Sequence, residues 1–300
     1  MLSIDPKNIA TKELHQYLLG AIGPRPIALA STMDIDGNPN LSPFSFFNVF
    51  SANPPILIFS PARRVRNNTT KHSLENAIAT KEVVINVVSY DIVQQTSLAS
   101  TEYDEGINEF SKAGFTPLPS EKIKPFRVAE SPVQFECIVK EVIALGQEGG
   151  AGNLVICEVV HAHINKNILD DLGKIDPNKI DLVGRMGGDT YCRASDNALF
   201  EVVKPILTKG IGIDAIPLRI RNSFILSGND LGKLGNVESV PSAEEVDNWK
   251  KNSEICNLLD NCSEDEEMRE QLHYFAKELL EDNRVKEAWM SLLIDKLNRN

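Results

Sequence analysis

LSPFSFFNVFS, residues 41–51, lies between two proline-containing segments and decides the fold. Four phenylalanines within the seven residues 44–50 favour a buried strand. Short polar residues interrupt this apolar run at near-regular spacing: Ser42, Ser45, Asn48 and Ser51. Two interpretations stay open at this point. The phenylalanines fill a β-barrel while the serines satisfy local backbone groups of a bulged strand, or the mixture of apolar and polar groups binds a flat, partly polar ligand.

The neighbouring segments predict antiparallel strands. Residues 27–32, IALAST, suit a strand that ends in hydroxyls, and residues 34–38, DIDGN, have the composition of a hairpin turn. The Phe-rich stretch should therefore return beside residues 27–32. Strand patterns recur further along the chain, at residues 56–60, 83–88, 133–145 and 154–164. Short turns and few intervening helices predict an antiparallel barrel.

The densest basic patch is PARRVRNNTTKHS, residues 61–73. Residues 68–73 of this patch precede an amphipathic run that starts at Leu74, so they are expected to lie where a helix begins. Free N–H groups and the positive end of the helix dipole, beside Arg and Lys, suit a phosphate. A solvated loop with an ordinary capping threonine is the alternative.

A second dense cluster is DLVGRMGGDTYCR, residues 181–193. Its three glycines allow close approach of the backbone to a flat group, while Arg185 and Tyr191 offer a charge and a stacking ring. The alternative is a glycine-rich turn with surface arginines. The chain has no GxGxxG motif after a strand and no GxxxxGK[ST] motif, so the sequence supports neither a Rossmann fold nor a P-loop.

Composition limits the class of protein. The chain of 300 residues is 42% hydrophobic, and no stretch approaches the ~20 apolar residues of a membrane helix. Five scattered cysteines without a CxxC pair fit a reducing compartment and argue against a zinc or disulfide framework. We therefore expect a cytoplasmic protein without a membrane partner. The net charge of −11 disfavours nucleic acid as a partner.

The last part of the chain differs from the rest. Residues 241–300 hold 15 acidic against 8 basic residues, and their apolar positions follow helical spacing. Residues 195–240 are glycine-rich with alternating apolar positions, which favours short strands or extended segments. The sequence thus predicts a barrel domain over residues 1–240 and an acidic helical C-terminal extension over residues 241–300.

A set of ordered blocks extends between about residues 20 and 195. They are PRPIA with Ser31-Thr32 (residues 24–32), NLSPFSFFN (40–48), residues 53–63, Lys71 with Ser73, SPVQFE (131–136), GNLV (152–155) and GRMGG with Tyr191 (184–191). Through these blocks the chain resembles the flavin reductase-like family of FMN-binding split barrels. The resemblance implies a mainly β fold, a six-stranded antiparallel Greek-key split barrel with flanking helices. It also implies a homodimer with FMN near the dimer interface.

The resemblance also assigns residues to the cofactor. Thr32, Ser45, Phe46, Phe47 and Asn48 would flank the isoalloxazine ring and ribityl chain. The phosphate would be held by Ser60, Arg63, Lys71 and Ser73, with Arg185 and Gly187 completing the cofactor-binding set. The family often has Asp where this chain has His72, and Ser73 stands where Thr is frequent.

The implied activity is that of an NAD(P)H-dependent FMN oxidoreductase, with NADH or NADPH as co-substrate. The flavin itself carries the hydride, so the chain needs no catalytic side chain. His161 and His163 alternate on one predicted strand and could orient a nicotinamide, although an ordinary surface or core histidine is the alternative. They form no metal site without a carboxylate partner, and the sequence identifies none. A non-catalytic flavin- or haem-binding carrier on the same barrel is the second hypothesis for function.

Overall fold

The computed structural model describes residues 1–104, 106–260, 262 and 264–297 of the chain. These residues form two compact units, Met1–Phe200 and Glu201–Asn300. The first unit is built on an antiparallel sheet of seven strands in the order β2-β1-β5-β8-β9-β4-β3. Its strands are β1 (Ala28–Met33), β2 (Pro39–Phe44), β3 (Phe47–Ala52), β4 (Pro55–Phe59), β5 (Glu82–Val87), β8 (Val133–Ala144) and β9 (Asn153–Ile164).

Smaller elements complete this unit. Two additional strand pairs are β6 (Pro117–Leu118) with β7 (Arg127–Val128), and β10 (Leu182–Arg185) with β11 (Tyr191–Ala194). The helices are α1 (Thr11–Ala21), α2 (His72–Thr80), α3 (Val93–Leu98), α4 (Glu109–Ala113) and α5 (Pro177–Ile180).

The Phe-rich stretch forms two strands rather than the one that the sequence predicts. It ends β2 at Phe44 and begins β3 at Phe47, and these strands lie at opposite edges of the sheet. Only Ser45 and Phe46 join them, so the two edges must lie side by side, although no strand pairing closes them among the described residues. This arrangement is a split barrel, which confirms the predicted fold class. The sheet has seven strands instead of six because the stretch bends at Ser45.

Predicted pairings are confirmed in the sheet. β1 pairs antiparallel with β2, with Thr32 opposite Asn40. The turn between them is closed by a hydrogen bond from Asp34 N to Asn38 O of 3.1 Å. β8 and β9 form a long antiparallel pair, as the alternating patterns predict.

The barrel interior is filled from several strands. Its buried core includes Phe44, Phe59, Ile85, Val155 and Cys157, and the rings of Phe44 and Phe59 lie 5.2 Å apart. Full burial of each such side chain stabilises the fold by about 1.5–3 kcal/mol. α2 joins the same core through residues 74 and 77, which fixes the position of its N-terminus beside the sheet.

The second unit contains no strand among its described residues, and all of its α-helices lie after residue 217. Its helices are α6 (Leu218–Arg221), α7 (Gly228–Gly235), α8 (Ala243–Trp249), α9 (Ser253–Asp260), α10 (Asp265–Glu281) and α11 (Val285–Leu297). Ser242 caps α8 through a capping box with Glu245. Helices α8 to α11 therefore agree with the helical pattern of the sequence, and residues 261, 263 and 298–300 lie outside the described part.

Residues 201–240 belong to this helical unit and not to the barrel unit. The sequence favoured short strands or extended segments there. Residues 201–212 are free of helix and strand, whereas no strand forms further along and α6 and α7 occupy that later part. Ile220 and Leu234 are fully buried in one core with Trp289. The indole Nε1 of Trp289 donates a 3.0 Å hydrogen bond to Leu234 O. The boundary between compact units therefore lies between Phe200 and Glu201, forty residues before the predicted one.

Among the described residues, no helix is both long enough and apolar enough to cross a membrane.

Candidate functional site

A small polar cavity lies where α2 begins. Its lining comes from β2, from the basic segment before α2, and from the segment between α3 and α4. The residues include Asn40, Ser42, Arg64, Lys71, His72, Ser73, Glu102 and Glu109. The structure thus brings together Lys71 and Ser73, two of the four residues expected at a phosphate.

Lys71 occupies the N-cap position of α2 and is partly buried. Its Nζ lies 5.2 Å from the centre of the Phe44 ring, and among the described residues it makes no hydrogen bond or ion pair. Burial, and then repulsion by Arg64, lower the pKa of Lys71. A cation held in this way beside a helix N-terminus favours an anionic ligand.

A buried polar network holds α2 against the sheet. Asn40 Nδ2 donates to Ser73 Oγ at 2.8 Å, and Asn76 Nδ2 donates to Thr32 Oγ1 at 3.2 Å. Because Thr32 and Asn40 are opposite each other in the β1–β2 pair, both bonds lie side by side. Thr32 is completely buried, so its side chain positions α2 and lines none of the cavities described here.

The two consecutive arginines have different surroundings. The guanidinium of Arg63, predicted at the phosphate, donates from Nε to Asn68 Oδ1 at 2.6 Å and lies outside the polar cavity. Arg64 lines that cavity and pairs with Glu102 at 3.1 Å. Sequence reasoning did not select Arg64, because composition cannot tell which of two neighbours faces the helix N-terminus.

Glu109 is a second member of the cavity that the sequence did not single out. It is 7% exposed, and Leu41 N donates to its Oε2 at 3.1 Å. Burial raises the pKa of Glu109, although its hydrogen bonds act in the opposite direction. The segment around it has no motif that links a carboxylate to the phosphate region.

A larger and mainly apolar cavity of about 460 Å³ lies along β3 and β4. Phe47 and Asn48 line it, together with residues such as Ile27, Leu57 and Val159. Its described lining includes no ionisable side chain. Two of the residues expected at the flavin ring therefore lie beside an apolar space.

Three predicted residues surround the bend between β2 and β3. Ser45 and Phe46 form the connection itself, and Ser60 N donates to Phe46 O at 2.8 Å. Gly152 approaches closely here, since a Cβ at that position would lie 2.7 Å from Ser60 Oγ. The bend is thus fixed by backbone contacts that leave little space around Ser60.

Arg185 lies apart from Lys71 and Ser73, in another cavity of about 350 Å³. Its guanidinium donates to Tyr191 Oη at 2.5 Å and to Gly188 O at 2.7 Å. A Cβ at Gly187 would lie 3.2 Å from the Cα of Gly20, so the glycine allows the end of α1 to approach. Arg185 thus holds the 181–193 segment together, and Gly187 lets this segment pack against the end of α1.

His161 and His163 lie on one face of β9, as their alternation predicts. His163 Nε2 lies 2.7 Å from Glu136 Oε1, and His161 Nε2 lies 3.3 Å from Glu121 Oε2. The three cavities described above have neither histidine in their lining.

Comparison with known proteins identifies the family. The model of the flavin reductase like domain matches residues 21–176. The chain belongs to this flavin reductase family. The match covers all seven strands of the split barrel and confirms the resemblance that the sequence motifs indicate.

Several relatives match about two thirds of this chain and nearly all of their own length. A protein of Halalkalibacterium halodurans is 32% identical over 210 residues, which are 69% of this chain and 99% of that protein. The crystal structure of nitrilotriacetate monooxygenase component B from Bacillus cereus has a TM-score of 0.63 and 29% identity, covering 67% of this chain and 98% of that chain. A putative flavin reductase from Shewanella frigidimarina has a TM-score of 0.57 and 27% identity, covering 68% of this chain and 100% of that chain.

Membership of the flavin reductase family has two consequences. The chain is a flavin-related oxidoreductase, and a flavin is its cofactor.

Proposed function

We propose that the protein binds FMN and transfers a hydride from NADH or NADPH to this flavin, as a homodimer. The observation that carries the choice of FMN is Lys71, a partly buried cation at the N-terminus of α2 whose Nζ makes no ion pair in the described chain. FMN ends in a phosphate, and this group would supply the missing anion.

The donors in the polar cavity fit a phosphate. Lys71 and Arg64 offer charged N–H groups, and Ser73 at the start of α2 offers a hydroxyl. Charge-assisted hydrogen bonds of this kind are each worth about 1.5–3 kcal/mol. Glu109 is the acidic residue in the set, and burial raises the pKa of this carboxyl group.

The Phe-rich stretch connects this phosphate region with the apolar cavity. Asn40 and Ser42 of β2 line the polar cavity, while Phe47 and Asn48 of β3 line the apolar one. A ligand with a charged group at one end and a flat ring at the other matches a polar cavity connected to an apolar one. We therefore assign the phosphate to the start of α2 and the ring to the segment around β3.

A bound flavin supplies the hydride chemistry itself. The chain contributes binding, orientation and exclusion of water. Apolar walls at Phe47 and Val159 keep water from the ring region, and the Asn48 amide there can hydrogen-bond to a ring heteroatom. The absence of ionisable groups from the described lining agrees with a site in which the protein moves no proton.

The exposed side chains of β3 support the homodimer. Val49 and Phe50 are 64% and 63% exposed, and Phe46 beside them is 39% exposed. β3 is also an edge strand, whose outer backbone groups have no partner strand in the sheet. A second copy of the chain would cover this apolar edge.

The test begins with the absorbance spectrum of the purified protein, which should show bound flavin. Extraction and chromatography then separate FMN from FAD. Anaerobic addition of NADH or NADPH should bleach the flavin absorbance at a rate typical of enzymatic turnover. Bound FMN that neither nicotinamide reduces would refute the reductase and favour the carrier, whereas extraction of FAD alone would refute the assignment of FMN.

A further inference from the structure

Three potential metal ligands meet on the outer part of β9. His161 and His163 come from that strand, and Glu121 comes from the segment between β6 and β7. His161 Nε2 lies 3.3 Å from Glu121 Oε2, and His163 Nδ1 lies 3.9 Å from Glu121 Oε1. One donor atom from each residue lies within 4.8 Å of the other two. The sequence could not identify Glu121 as the carboxylate partner, because it is forty residues from the histidines.

A fourth residue, Glu136, contacts His163 on the buried side of the cluster and orients its ring. Its side chain is completely buried, and its Oε1 lies 2.7 Å from His163 Nε2. When Nε2 carries the proton and donates it to Glu136, the lone pair of His163 Nδ1 faces Glu121. Metal-binding histidines generally have this arrangement, in which a carboxylate accepts the N–H of the nitrogen that does not bind the ion.

Glu136 also fixes the segment that carries Glu121. The backbone N–H groups of Glu121 and Lys122 donate to its two carboxylate oxygens, at 2.8 Å and 2.6 Å. Arg127 Nε lies 4.0 Å from Glu136 Oε1 and balances its charge. Among the described residues, the Glu121 carboxylate forms ion pairs with the two histidines and with no Lys or Arg. The same buried group positions both a histidine and the carboxylate opposite it.

The three donor atoms, which lie within 4.8 Å of one another, approach the spacing that a tetrahedral site requires. Ligand atoms about 2.0–2.1 Å from a tetrahedral zinc ion are separated by roughly 3.3 Å, so small side-chain movements suffice. The rings of His161 and His163 lie 4.7 Å apart at an angle of 72°, which lets both present a nitrogen to one point. The Glu121 side chain is 58% exposed, so an ion reaches the cluster from solvent.

We propose that Glu121, His161 and His163 bind a divalent transition-metal ion, preferentially zinc, and that Glu136 positions His163 and the segment of Glu121 for this binding. Two imidazoles and one carboxylate suit zinc better than magnesium or calcium, which prefer oxygen ligands. Three protein ligands leave a fourth position for water or an exogenous ligand. The ion would join the 119–125 segment to β9. This proposal does not depend on FMN or on reductase activity.

Zinc titration of the full-length protein tests the proposal. The protein is prepared without a histidine tag, treated with a chelator and dialysed, and ZnSO₄ is added in a calorimeter. We expect one ion per chain with affinity in the micromolar range or tighter. Co²⁺ in place of Zn²⁺ should give the visible absorption bands of a tetrahedral site.

Four variants locate the site. Glu121→Gln and His161→Ala should each abolish stoichiometric binding and the cobalt bands. Glu136→Gln should weaken zinc binding by about 10- to 100-fold, the usual effect of removing an orienting carboxylate. The control is Glu158→Gln on the same strand, which loses a 2.9 Å surface ion pair with Lys140 and should bind zinc like the parent.

The results separate this site from other zinc ligands on the chain. Retention of parental affinity in Glu121→Gln would assign the ion elsewhere, for example to a cysteine, and would overturn the proposal. Absence of stoichiometric zinc binding by the chelator-treated parent protein in the calorimeter would also overturn it, leaving the cluster as an ordinary ion-paired group. Circular dichroism shows whether His161→Ala folds, and the exposed Glu121→Gln decides the question if it does not.

Discussion

Replacement of Lys71 by methionine should weaken FMN binding selectively. Methionine keeps an unbranched apolar stem next to the Phe44 ring, which Lys71 Nζ contacts at 5.2 Å, but it removes the charge. Because no ion-pair partner in the described chain competes for that charge, the phosphate should lose a full charge-assisted contact of about 1.5–3 kcal/mol. The dissociation constant should therefore rise roughly 10- to 150-fold.

The assay is quenching of flavin fluorescence as the apoprotein is titrated into FMN and, separately, into riboflavin, which has the same ring without the phosphate. Lys71→Met should leave riboflavin binding unchanged. Since burial lowers the pKa of Lys71, a neutral side chain there should not lower the melting temperature of the apoprotein.

Matched variants complete this experiment. Arg66→Met removes a surface cation that is 77% exposed and should change FMN affinity little. Arg64→Ala should weaken FMN binding more than Arg63→Ala, because only Arg64 lines the polar cavity. Equal losses for FMN and riboflavin in Lys71→Met, or no loss for either, would refute the placement of the phosphate.

Three further outcomes are expected. FMN affinity should fall as the pH rises towards the lowered pKa of Lys71, and this fall should begin below the ordinary lysine pKa of about 10.4. When both proteins are titrated across that range, Lys71→Met should show no such fall. A protein of residues 1–200 should retain FMN and melt cooperatively. A protein of residues 1–240 should bind a hydrophobic dye and aggregate, because the cut removes the partners of the buried apolar residues between 211 and 237. Cooperative melting of both without dye binding or aggregation would contradict the observed boundary. Phe50→Lys should shift the protein from dimer to monomer in light scattering. Ile35→Lys, at a turn position that is 81% exposed against 63% for Phe50, should leave the dimer intact, and a dimer in both variants would remove β3 from the interface.

Much of the barrel could be predicted from local patterns. The turn at residues 34–38 and the alternation of β8 and β9 are properties of neighbouring residues, and they form as expected. The bend at Ser45 could not be predicted, because an apolar run of this length suits one strand equally well. Only the order of strands in the sheet shows that the two halves belong to opposite edges.

The domain boundary depended on a similar ambiguity. Glycine and alternating apolar residues in 201–240 resemble short strands, yet α7 buries Leu234 against the tryptophan-containing helices. Burial against distant residues overrode the local pattern, as it often does for short elements.

The candidate site was predictable where a motif fixes it. Lys71 and Ser73 are positioned by the start of a helix, which the sequence indicates, and the structure places them in one cavity. Arg64, Glu109 and Glu121 depend on the direction of single side chains or on contacts between distant segments. Such features have no signature in one sequence, since side-chain direction is set by tertiary packing.

The two-residue connection between β2 and β3 has a consequence for local opening of the barrel. Edge strands that lie side by side without pairing are expected to separate at low free energy, and their amides should exchange with solvent faster than those of β5 or β8. A ligand that contacts Ser42 on one edge and Phe47 on the other binds only when both edges are in place. Its occupancy should therefore slow hydrogen exchange in β2 and β3 together, and leave the central strands almost unaffected.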